Sequence, residues 1–249
     1  MSKNTPAEIN LRLKMIYDMI PHCTVLGDVG TDHGLLPIYS VNNGKCKRAI
    51  ASDLREGPLS VAAKNISEAG LNDKVKTLLC SGLDGYEDLG CDTIVIAGMG
   101  GLTVCQILQD WLAICDKKNY FPGNNIFVLQ PNTHEHIIRR FLWDNYFVIE
   151  DEHAVKDGAH VYLALKCKYC SVIEEYTELE CYTGKIMKQR LNENDIVYYK
   201  TILKKHKNIL LGLQKRVESD KNTLDRISIS EKIISEVNQI LKTGEIINE

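Results

Sequence analysis

The chain has 249 residues, of which 44% are hydrophobic and 25% are charged, and its formal net charge at pH 7 is -3. This composition is typical of a folded globular protein and excludes a fibre or a disordered chain. The first residues lack the apolar stretch of a secretion signal, and no later apolar run is long enough to cross a bilayer. We therefore expect a cytoplasmic protein with no membrane partner.

Short apolar segments alternate with helical patterns along the first two thirds of the chain. An amphipathic helix is predicted over 11–20, strands at 24–28, 48–53, 75–80, 92–97, 126–130, 146–151 and 160–167, and helices at 35–43, 58–69, 102–115 and 134–145. Continuously apolar strands such as TIVIAG indicate a parallel sheet covered on both faces. The fold class is therefore α/β, with a doubly wound, Rossmann-like sheet. The last two strands, joined through a DG turn, predict an antiparallel edge hairpin.

Beyond about residue 172 only helical patterns remain. One set of residues recurs at spacings of four and three, which is typical of a coiled-coil seam: Tyr199, Leu203, His206, Leu210, Leu213 and Val217. A second apolar stripe follows the SDKNT turn: Ile233, Val237, Ile240 and Leu241. These patterns predict an α/β domain over 1–168 and an α-helical coiled-coil domain over 169–249. We expect a monomer, although the seam could also pair between chains.

The segment 185–216 is strongly basic, with nine Lys or Arg and two acidic residues. Such an excess of positive charge inside an acidic protein indicates contact with a polyanion, and a solvated helix face is the alternative.

Nine cysteines, an odd number, are scattered along the chain and do not have the spacing of a disulfide framework. The single CxxC, at Cys167 and Cys170, has only Cys181 near it as a further ligand. His134 and His136 would point to different sides of a helix. We therefore expect no metal site.

The unusual residues follow the predicted strands, which is where ligands bind in a doubly wound sheet. In the first turn, GDVGTDHG at 27–34, Gly30 and Gly34 allow a ligand to approach the backbone closely. The spacing is GxxGxxxG, unlike the dinucleotide fingerprint GxGxxG, and Asp28 and Asp32 would repel a pyrophosphate. The turn therefore favours a cationic or zwitterionic ligand.

The next two strand ends suit a nucleoside. Asp53 ends the second strand, where a carboxylate can accept hydrogen bonds from both hydroxyls of a ribose. SGLDG at 81–85 follows the third strand, and its backbone could contact an adenine edge. A nucleoside that carries positive charge and lacks a diphosphate fits these features, and S-adenosylmethionine is such a molecule.

The fourth strand runs into AGMGG at 97–101, which could be a packing turn or a surface on which a target base meets the methyl donor. Methyltransferases that act on base amino groups commonly have Asn/Asp-Pro-Pro-aromatic here, and this chain does not. The fifth strand ends in QPN at 130–132, whose polar groups could bind a base edge. From these turns we predict four residues of the catalytic site: Gly98, Met99, Gly100 and Asn132.

These stretches together resemble the bacterial tRNA (adenine-N1)-methyltransferase family that modifies adenosine 22 of tRNA. The matching motifs are DVGTDHGLLP (28–37), EGPL (56–59), SGLDG (81–85), IAGMGG (96–101) and LQPN (129–132). The helical tail fits the C-terminal coiled coil of that family in kind, without a matching motif. The resemblance implies a class I methyltransferase fold, S-adenosyl-L-methionine as cofactor and tRNA as partner.

The resemblance also implies roles for individual residues. It places cofactor contacts at Asp28, Gly30, Asp32, His33, Asp53, Gly82, Leu83 and Gly98, with Asp53 at the ribose and Gly82 and Leu83 near the adenine. Ser81 stands where the family pattern leads us to expect an acidic residue, and Asp53 where related enzymes use Glu. The N1 lone pair needs no base, but methylation creates positive charge, and we predict that Asp32 lies closest to it.

N1 lies on the Watson–Crick edge, so a paired adenine must leave its helix before it reacts. The enzyme therefore needs a surface that binds tRNA, and we predict phosphate contacts by Lys188, Arg190, Lys200, Lys204, Lys205 and Lys207. Three other functions stay open: a methyltransferase of a protein or small metabolite, a cofactor-binding RNA adaptor without activity, and an NAD-linked oxidoreductase.

Overall fold

The structure, a computed structural model, describes residues 9–214 and 220–247. Its centre is a seven-stranded mixed sheet with the strand order β3-β2-β1-β4-β5-β7-β6. The strands are β1 (Cys23–Val29), β2 (Cys46–Asp53), β3 (Val75–Leu79), β4 (Thr93–Gly100), β5 (Ile126–Thr133), β6 (Phe147–Asp157) and β7 (His160–Tyr169). The helices are α1 (Leu11–Met19), α2 (Leu35–Asn42), α3 (Glu56–Glu68), α4 (Gly101–Lys118), α5 (Glu135–Asp144), α6 (Glu178–Thr183), α7 (Glu193–Gln214) and α8 (Lys221–Ile247).

The first five strands are parallel, and all seven predicted strands are present. The central strand β4 is apolar because both faces of the sheet are covered, and Ile94, Val95 and Ile96 are fully buried. The order reverses beside β1, which pairs with β2 on one side and β4 on the other. The carboxyl ends of these three strands therefore meet at the switch point where such folds bind ligands.

The predicted edge hairpin is confirmed, but β6 is longer than predicted. It pairs with β7 as far as Asp157 opposite His160, well beyond its predicted end at residue 151. Buried and partly exposed residues alternate along this extension, so it continues as a half-buried strand. The longer hairpin supports α1, because the Arg12 backbone N–H donates to Asp157 at 3.3 Å. This contact brings the start of α1 close to the sheet.

The C-terminal helices pack on one another and on the sheet. The predicted seams are buried at Tyr199, His206, Leu213, Ile233, Val237 and Ile240, and half-buried at Leu203, Leu210 and Leu241. Val217 lies outside the described residues. Tyr199 and Ile233 belong to the same apolar cluster as Ile96 and Phe127 of the sheet. A coiled coil and a domain boundary at residue 168 stay predictions.

A buried ion pair joins the helical part to the sheet. Arg139 of α5 and Glu152 of β6 lie 2.7 Å apart, and both side chains are buried. Arg139 also donates to the carbonyl of Cys181 at 3.0 Å, and Glu152 accepts from the backbone N–H of Ile186 at 3.1 Å. This pair therefore contacts both α6 and the segment that follows it.

Among the helices of residues 9–214 and 220–247, none is both long and apolar enough to span a bilayer. The same residues contain no group of three or more His, Cys, Asp or Glu side chains that could hold a metal ion.

Candidate active site

A cavity of about 560 Å³ opens at the carboxyl ends of β1, β2 and β4. Its volume lies in the range usual for small-molecule sites. Its lining residues are Asn10, Arg12, Leu13, Asp28, Gly30, Thr31, Asp32, His33, Leu35, Leu36, Asp53, Arg55, Ala97, Gly98 and Met99. The structure thus brings together most of the residues predicted to bind the cofactor.

The turn after β1 is shaped by two glycines. Gly30 has φ +75°, and a Cβ placed there would collide with the Met99 side chain. The N–H groups of Gly30 and Thr31 both donate to the Ser52 carbonyl at 2.8 Å, which fixes the turn against β2. Gly34, with φ +67°, comes directly before α2. Only glycine adopts such a backbone at low cost, so the motif residues are required by the turn itself.

Asp28 is the buried carboxylate of the cavity, with 7% of its surface exposed. Burial raises the pKa of Asp28 to about 6, while a hydrogen bond from Thr31 and the charge of Arg12 act in the opposite direction. Burial raises a carboxyl pKa because the charged form loses its hydration. A cationic group bound beside Asp28 would therefore favour the ionised carboxylate.

Asp53 ends β2 and is also largely buried, with 8% of its surface exposed. Its Oδ1 accepts from the backbone N–H of Arg55 at 2.8 Å, and the Arg55 guanidinium lies 3.5 Å from the same oxygen. The carboxylate is therefore held in place at the cavity wall.

Asp32 and His33 lie at the mouth of the cavity. The Asp32 side chain is 80% exposed and lies 3.2 Å from the His33 ring. Its exposure differs from that of Asp28, although both belong to one turn. Water screens a charge in this position, so any electrostatic effect of Asp32 is smaller than that of a buried carboxylate.

The glycine turn at the end of β4 lines the cavity at one residue and packs against β5 at another. Gly98 lines the cavity with φ +76°, and the pairing of β4 with β5 shifts register on either side of Met99. Gly101 is a packing residue, since a Cβ there would collide with the Thr133 carbonyl. Gly100 and Asn132 are not among the lining residues. Asn132 instead donates to the Gly98 carbonyl at 2.8 Å, which positions the turn.

Gly82 and Leu83, predicted near the adenine, do not line the cavity. Leu83 is buried in the apolar core with 2% of its surface exposed, and Gly82 packs near Ile107. The Leu83 side chain therefore faces the core. Adenine contact by the backbone of this turn stays a prediction.

The sequence analysis did not single out Arg12, which enters the cavity from α1. Its Nη1 donates to the Gln130 side chain at 2.7 Å, and Gln130 is fully buried. No local motif marks Arg12, because its position depends on the packing of α1 against the hairpin. Asn10 caps the start of α1, and its side chain accepts from the Leu13 N–H at 2.9 Å.

The basic segment 185–216 separates into two parts. Lys185 lies 2.9 Å from Glu174, Lys188 lies 3.4 Å from Glu180, and Arg190 pairs with Asp151. By contrast, four exposed residues of α7 have no ion pair with any carboxylate in the described parts of the chain: Lys200, Lys204, Lys205 and Lys207. Lys215 and Arg216 lie outside the described residues.

A family model described as a methyltransferase domain matches residues 9–165, which include every residue that lines the cavity. The chain belongs to the methyltransferase domain family. The predicted resemblance to the tRNA (adenine-N1)-methyltransferases is confirmed by a curated relative and by the solved structures.

The tRNA (adenine(22)-N(1))-methyltransferase of Bacillus subtilis is 32% identical over 158 residues, which are 64% of this chain and 64% of that protein. The match thus spans less than two thirds of the Bacillus protein. A putative tRNA methyltransferase of Mycoplasma pneumoniae is 30% identical over 181 residues, or 71% of this chain and 79% of that protein.

Among solved structures, a putative tRNA (m1A22) methyltransferase of Streptococcus pneumoniae, in complex with S-adenosyl-L-methionine, is 27% identical with a TM-score of 0.77. The alignment covers 91% of this methyltransferase and 100% of the Streptococcus chain. It therefore includes the C-terminal helices as well as the sheet.

Proposed function

We propose that this methyltransferase transfers a methyl group from S-adenosyl-L-methionine to N1 of adenine 22 in tRNA. The observation that carries the proposal is one cavity that combines the Gly30 turn, the buried Asp28, the carboxylate of Asp53 and the Gly98 turn. The relatives named above supply the reaction and the substrate. The family match also favours methyl transfer over the oxidoreductase that the sequence left open.

The cavity residues suit S-adenosylmethionine, which supplies an activated methyl group when bound. Gly30 and Gly98 line the cavity without a side chain, and both have a positive φ. Asp53 can accept the ribose hydroxyls, and Asp28 can face positive charge, because both carboxylates are held within the wall. These contacts orient a zwitterionic nucleoside along the carboxyl ends of the strands, as in other doubly wound folds.

We place the target adenine beside the Gly98 turn. Asn132 and the register shift in β4 hold this turn away from the regular sheet, which leaves its backbone open to a base. The protein then acts chiefly by holding N1 in line with the methyl group, since alignment alone supplies much of a rate enhancement. Asp32, at the cavity mouth, would stabilise the positive charge that develops on the adenine.

We assign contact with the tRNA backbone to the exposed lysines of α7. The helix α5 connects this surface to the sheet, because it begins directly after the carboxyl end of β5. There, His136 stacks on Tyr182 of α6 with ring centroids 4.6 Å apart. Burial lowers the pKa of His136 to about 4, and the charge of the nearby Lys205 acts in the same direction. A basic surface on α7 thus lies close to the edge that holds the cavity.

We further propose that the protein acts as a monomer in the cytoplasm, with its C-terminal helices as a coiled-coil domain that binds tRNA. The support for a monomer is the burial of the seam residues Tyr199, Leu213 and Ile233 within one chain. A seam covered in this way offers little apolar surface to a second copy.

The test is nucleoside mass spectrometry of an unmodified tRNA transcript after incubation with the protein and S-adenosylmethionine. The matched control is a transcript with another base at position 22. We expect N1-methyladenosine from the first transcript and none from the second. Binding of cofactor and tRNA without methylated product would favour the RNA adaptor, and methylation of a protein or metabolite without tRNA would favour the other methyltransferase class.

A further inference from the structure

A row of four rings runs from the carboxyl edge of the sheet to α7. The His134 ring, just before α5, has its centroid 6.2 Å from that of His136, and His136 stacks on Tyr182 of α6 at 4.6 Å with ring planes 10° apart. Tyr182 makes an edge contact at 5.4 Å with His206 of α7, which is buried. The row is therefore held at its inner end by the helices, while His134 at its outer end is exposed.

The outer end of the row lies against the turn where the target adenine is placed. A Cβ at Gly101 would lie 3.0 Å from the His134 Cβ. His134 also follows closely after Asn132, which donates to the carbonyl of Gly98 at 2.8 Å. The His134 Nδ1 lies 3.0 Å from the Thr133 hydroxyl, which helps to hold the ring at this edge. His134 is thus a neighbour of the glycine turn but does not line the cofactor cavity.

The local backbone does not explain a histidine at this position. His134 has φ +62°, a conformation that glycine or asparagine adopts at lower cost. It is the N-cap of α5, but its side chain makes no capping hydrogen bond. In the described parts of the chain, it belongs to no group of three or more side chains that could hold a metal ion. The exposed ring is therefore a candidate for contact with a group outside the chain.

The surroundings of the row favour a nucleotide as that group. His136 lies within electrostatic reach of Lys205, one of the exposed lysines of α7. A nucleotide offers a flat base that can stack on an aromatic ring, and its phosphate offers the negative charge that a lysine binds. An aromatic side chain of a protein partner would supply the ring without the charge. The row and the lysine together therefore fit RNA better than protein.

We propose that the His134 ring stacks on a base that flanks the target adenine in tRNA. This inference rests on the proposed function, which supplies the tRNA and its adenine. An adenine that leaves its helix no longer stacks on its neighbours, and this loss opposes the extrusion. A protein ring offered to the flanking base replaces part of the lost stacking. His134 would thus hold the strand open beside the Gly98 turn without contacting the transferred methyl group.

The experiment measures tRNA binding and single-turnover methylation by the full chain at saturating S-adenosylmethionine. The variant is His134→Asn, because asparagine tolerates the left-handed backbone and keeps a polar side chain but removes the ring. His134→Phe restores a ring without the imidazole nitrogens. His22→Asn is the matched control, since His22 is an exposed histidine just before β1, at the opposite edge of the sheet. Urea unfolding and calorimetric titration with the cofactor are measured for each variant.

Each protein is tested on four tRNAs assembled from synthetic fragments. One is intact, and the others carry an abasic nucleotide at one neighbour of adenine 22, at its other neighbour, or in the anticodon loop. An abasic nucleotide keeps the phosphate but lacks the base, so it removes the stacking contact from the RNA side.

We expect His134→Asn to weaken binding of the intact tRNA about 5- to 20-fold, in the lower part of the range for a base stacked on an aromatic ring. Cofactor affinity should stay unchanged, and the stability of the fold should not fall, because asparagine suits the backbone at this position. His134→Phe should recover most of the tRNA affinity, and His22→Asn should leave it unchanged. The effect of His134→Asn should disappear on one of the two tRNAs that are abasic beside adenine 22 and persist on the anticodon-loop tRNA.

Equal affinities of the wild type and His134→Asn for intact tRNA would overturn the inference. The same loss on all four tRNAs would also overturn it, because the ring would then contact something other than a flanking base. Weaker cofactor binding or lower stability in His134→Asn would show that the ring only supports the fold of the site. A wild-type protein that forms no N1-methyladenosine on intact tRNA would instead contradict the proposed function, and the inference with it.

Discussion

The cavity and the exposed face of α7 both carry charge, but they hold it in different ways. In the cavity, Asp28 and Asp53 are less than a tenth exposed and have fixed hydrogen-bond partners. On α7, Lys200 and Lys204 are exposed and lack ion pairs in the described parts of the chain. A buried charge interacts strongly with one nearby ligand group, whereas several exposed lysines together create a positive potential over a surface. Single substitutions should therefore affect the cavity strongly and α7 weakly.

The largest effect on stability is expected at the buried pair between α5 and β6, which lies outside both regions. Arg139→Met should lower the free energy of unfolding by about 3–5 kcal/mol, because it leaves the Glu152 carboxylate buried without its partner. Urea unfolding measures the change. Arg140→Met is the matched control, since Arg140 forms an exposed pair with Glu178 that should contribute about 1 kcal/mol or less. Similar losses in the two variants would contradict the distinction between buried and exposed charge.

A glycine substitution tests the geometry of the cavity alone. Gly30→Ala should weaken cofactor binding about 100-fold or more, because it strains a backbone with φ +75° in the wall of the cavity and forces the end of the Met99 side chain to move. Gly158→Ala is the control, as it has φ +61° in the hairpin turn and open space around the position of a Cβ. Calorimetric titration with S-adenosylmethionine compares them. Equal affinities in both variants would show that the Gly30 turn does not approach the ligand.

The opposite behaviour is expected for α7, where several lysines must change together. Replacing Lys200, Lys204, Lys205 and Lys207 by Ala should weaken tRNA binding more than tenfold and flatten its salt dependence, with cofactor affinity unchanged. The control removes an equal charge from exposed positions of α8, namely Lys221, Arg226, Lys232 and Lys242. Filter binding at several salt concentrations compares the two. Equal tRNA affinity in wild type and the α7 variant would show that the lysines form only a solvated face.

Both regions show how far the sequence could predict the site. Residues such as Gly30 and Asp53 were predictable because the local pattern of a strand followed by a turn places them at the ligand edge. Arg12 was not, because its role depends on α1 packing against a hairpin 145 residues away. Likewise, the sequence could not show that Arg190 is ion-paired and Lys200 is not, because the partner of Arg190 lies far away in the chain, on β6.

The fold was more predictable than the site for a related reason. Apolar runs indicate strands directly, and the regular alternation of strands and helices restricts their order. The predicted end of β6 at residue 151 was wrong. Half-buried edge strands contain many polar residues, as the segment EHAVKD does, and therefore do not show a continuous apolar run. Leu83 was placed near the ligand by motif, whereas its side chain lies in the core. The end of β6 and the direction of the Leu83 side chain both depend on packing between residues that are far apart in the sequence.

Asp28 gives a pH-dependent test of the buried charge. Its pKa of about 6 lies above the ordinary carboxyl value, so the folded chain binds this proton more tightly than the unfolded chain. That contribution to stability is present at low pH and is lost as the pH rises through about 6. A cationic ligand needs the ionised form, so cofactor affinity should fall about tenfold from pH 7 to pH 5. Asp28→Asn should bind more weakly and lose this dependence, and a pH-independent wild type would contradict the contact.

The smallest effect is expected for Asp32, the exposed acid of the same turn. Asp32→Asn should lower the single-turnover rate about fivefold at saturating cofactor, because a screened charge contributes about 1 kcal/mol to a developing cation. The loss should shrink at high salt, as it does for exposed charges in general. Asp73→Asn, an exposed acid outside the cavity, is the control. A rate equal to that of the wild type would remove the proposed role, whereas a loss of 100-fold or more would mean that Asp32 becomes buried when tRNA binds. The turn would then carry two buried carboxylates in the complex, and the contrast between Asp28 and Asp32 would hold only for the free protein.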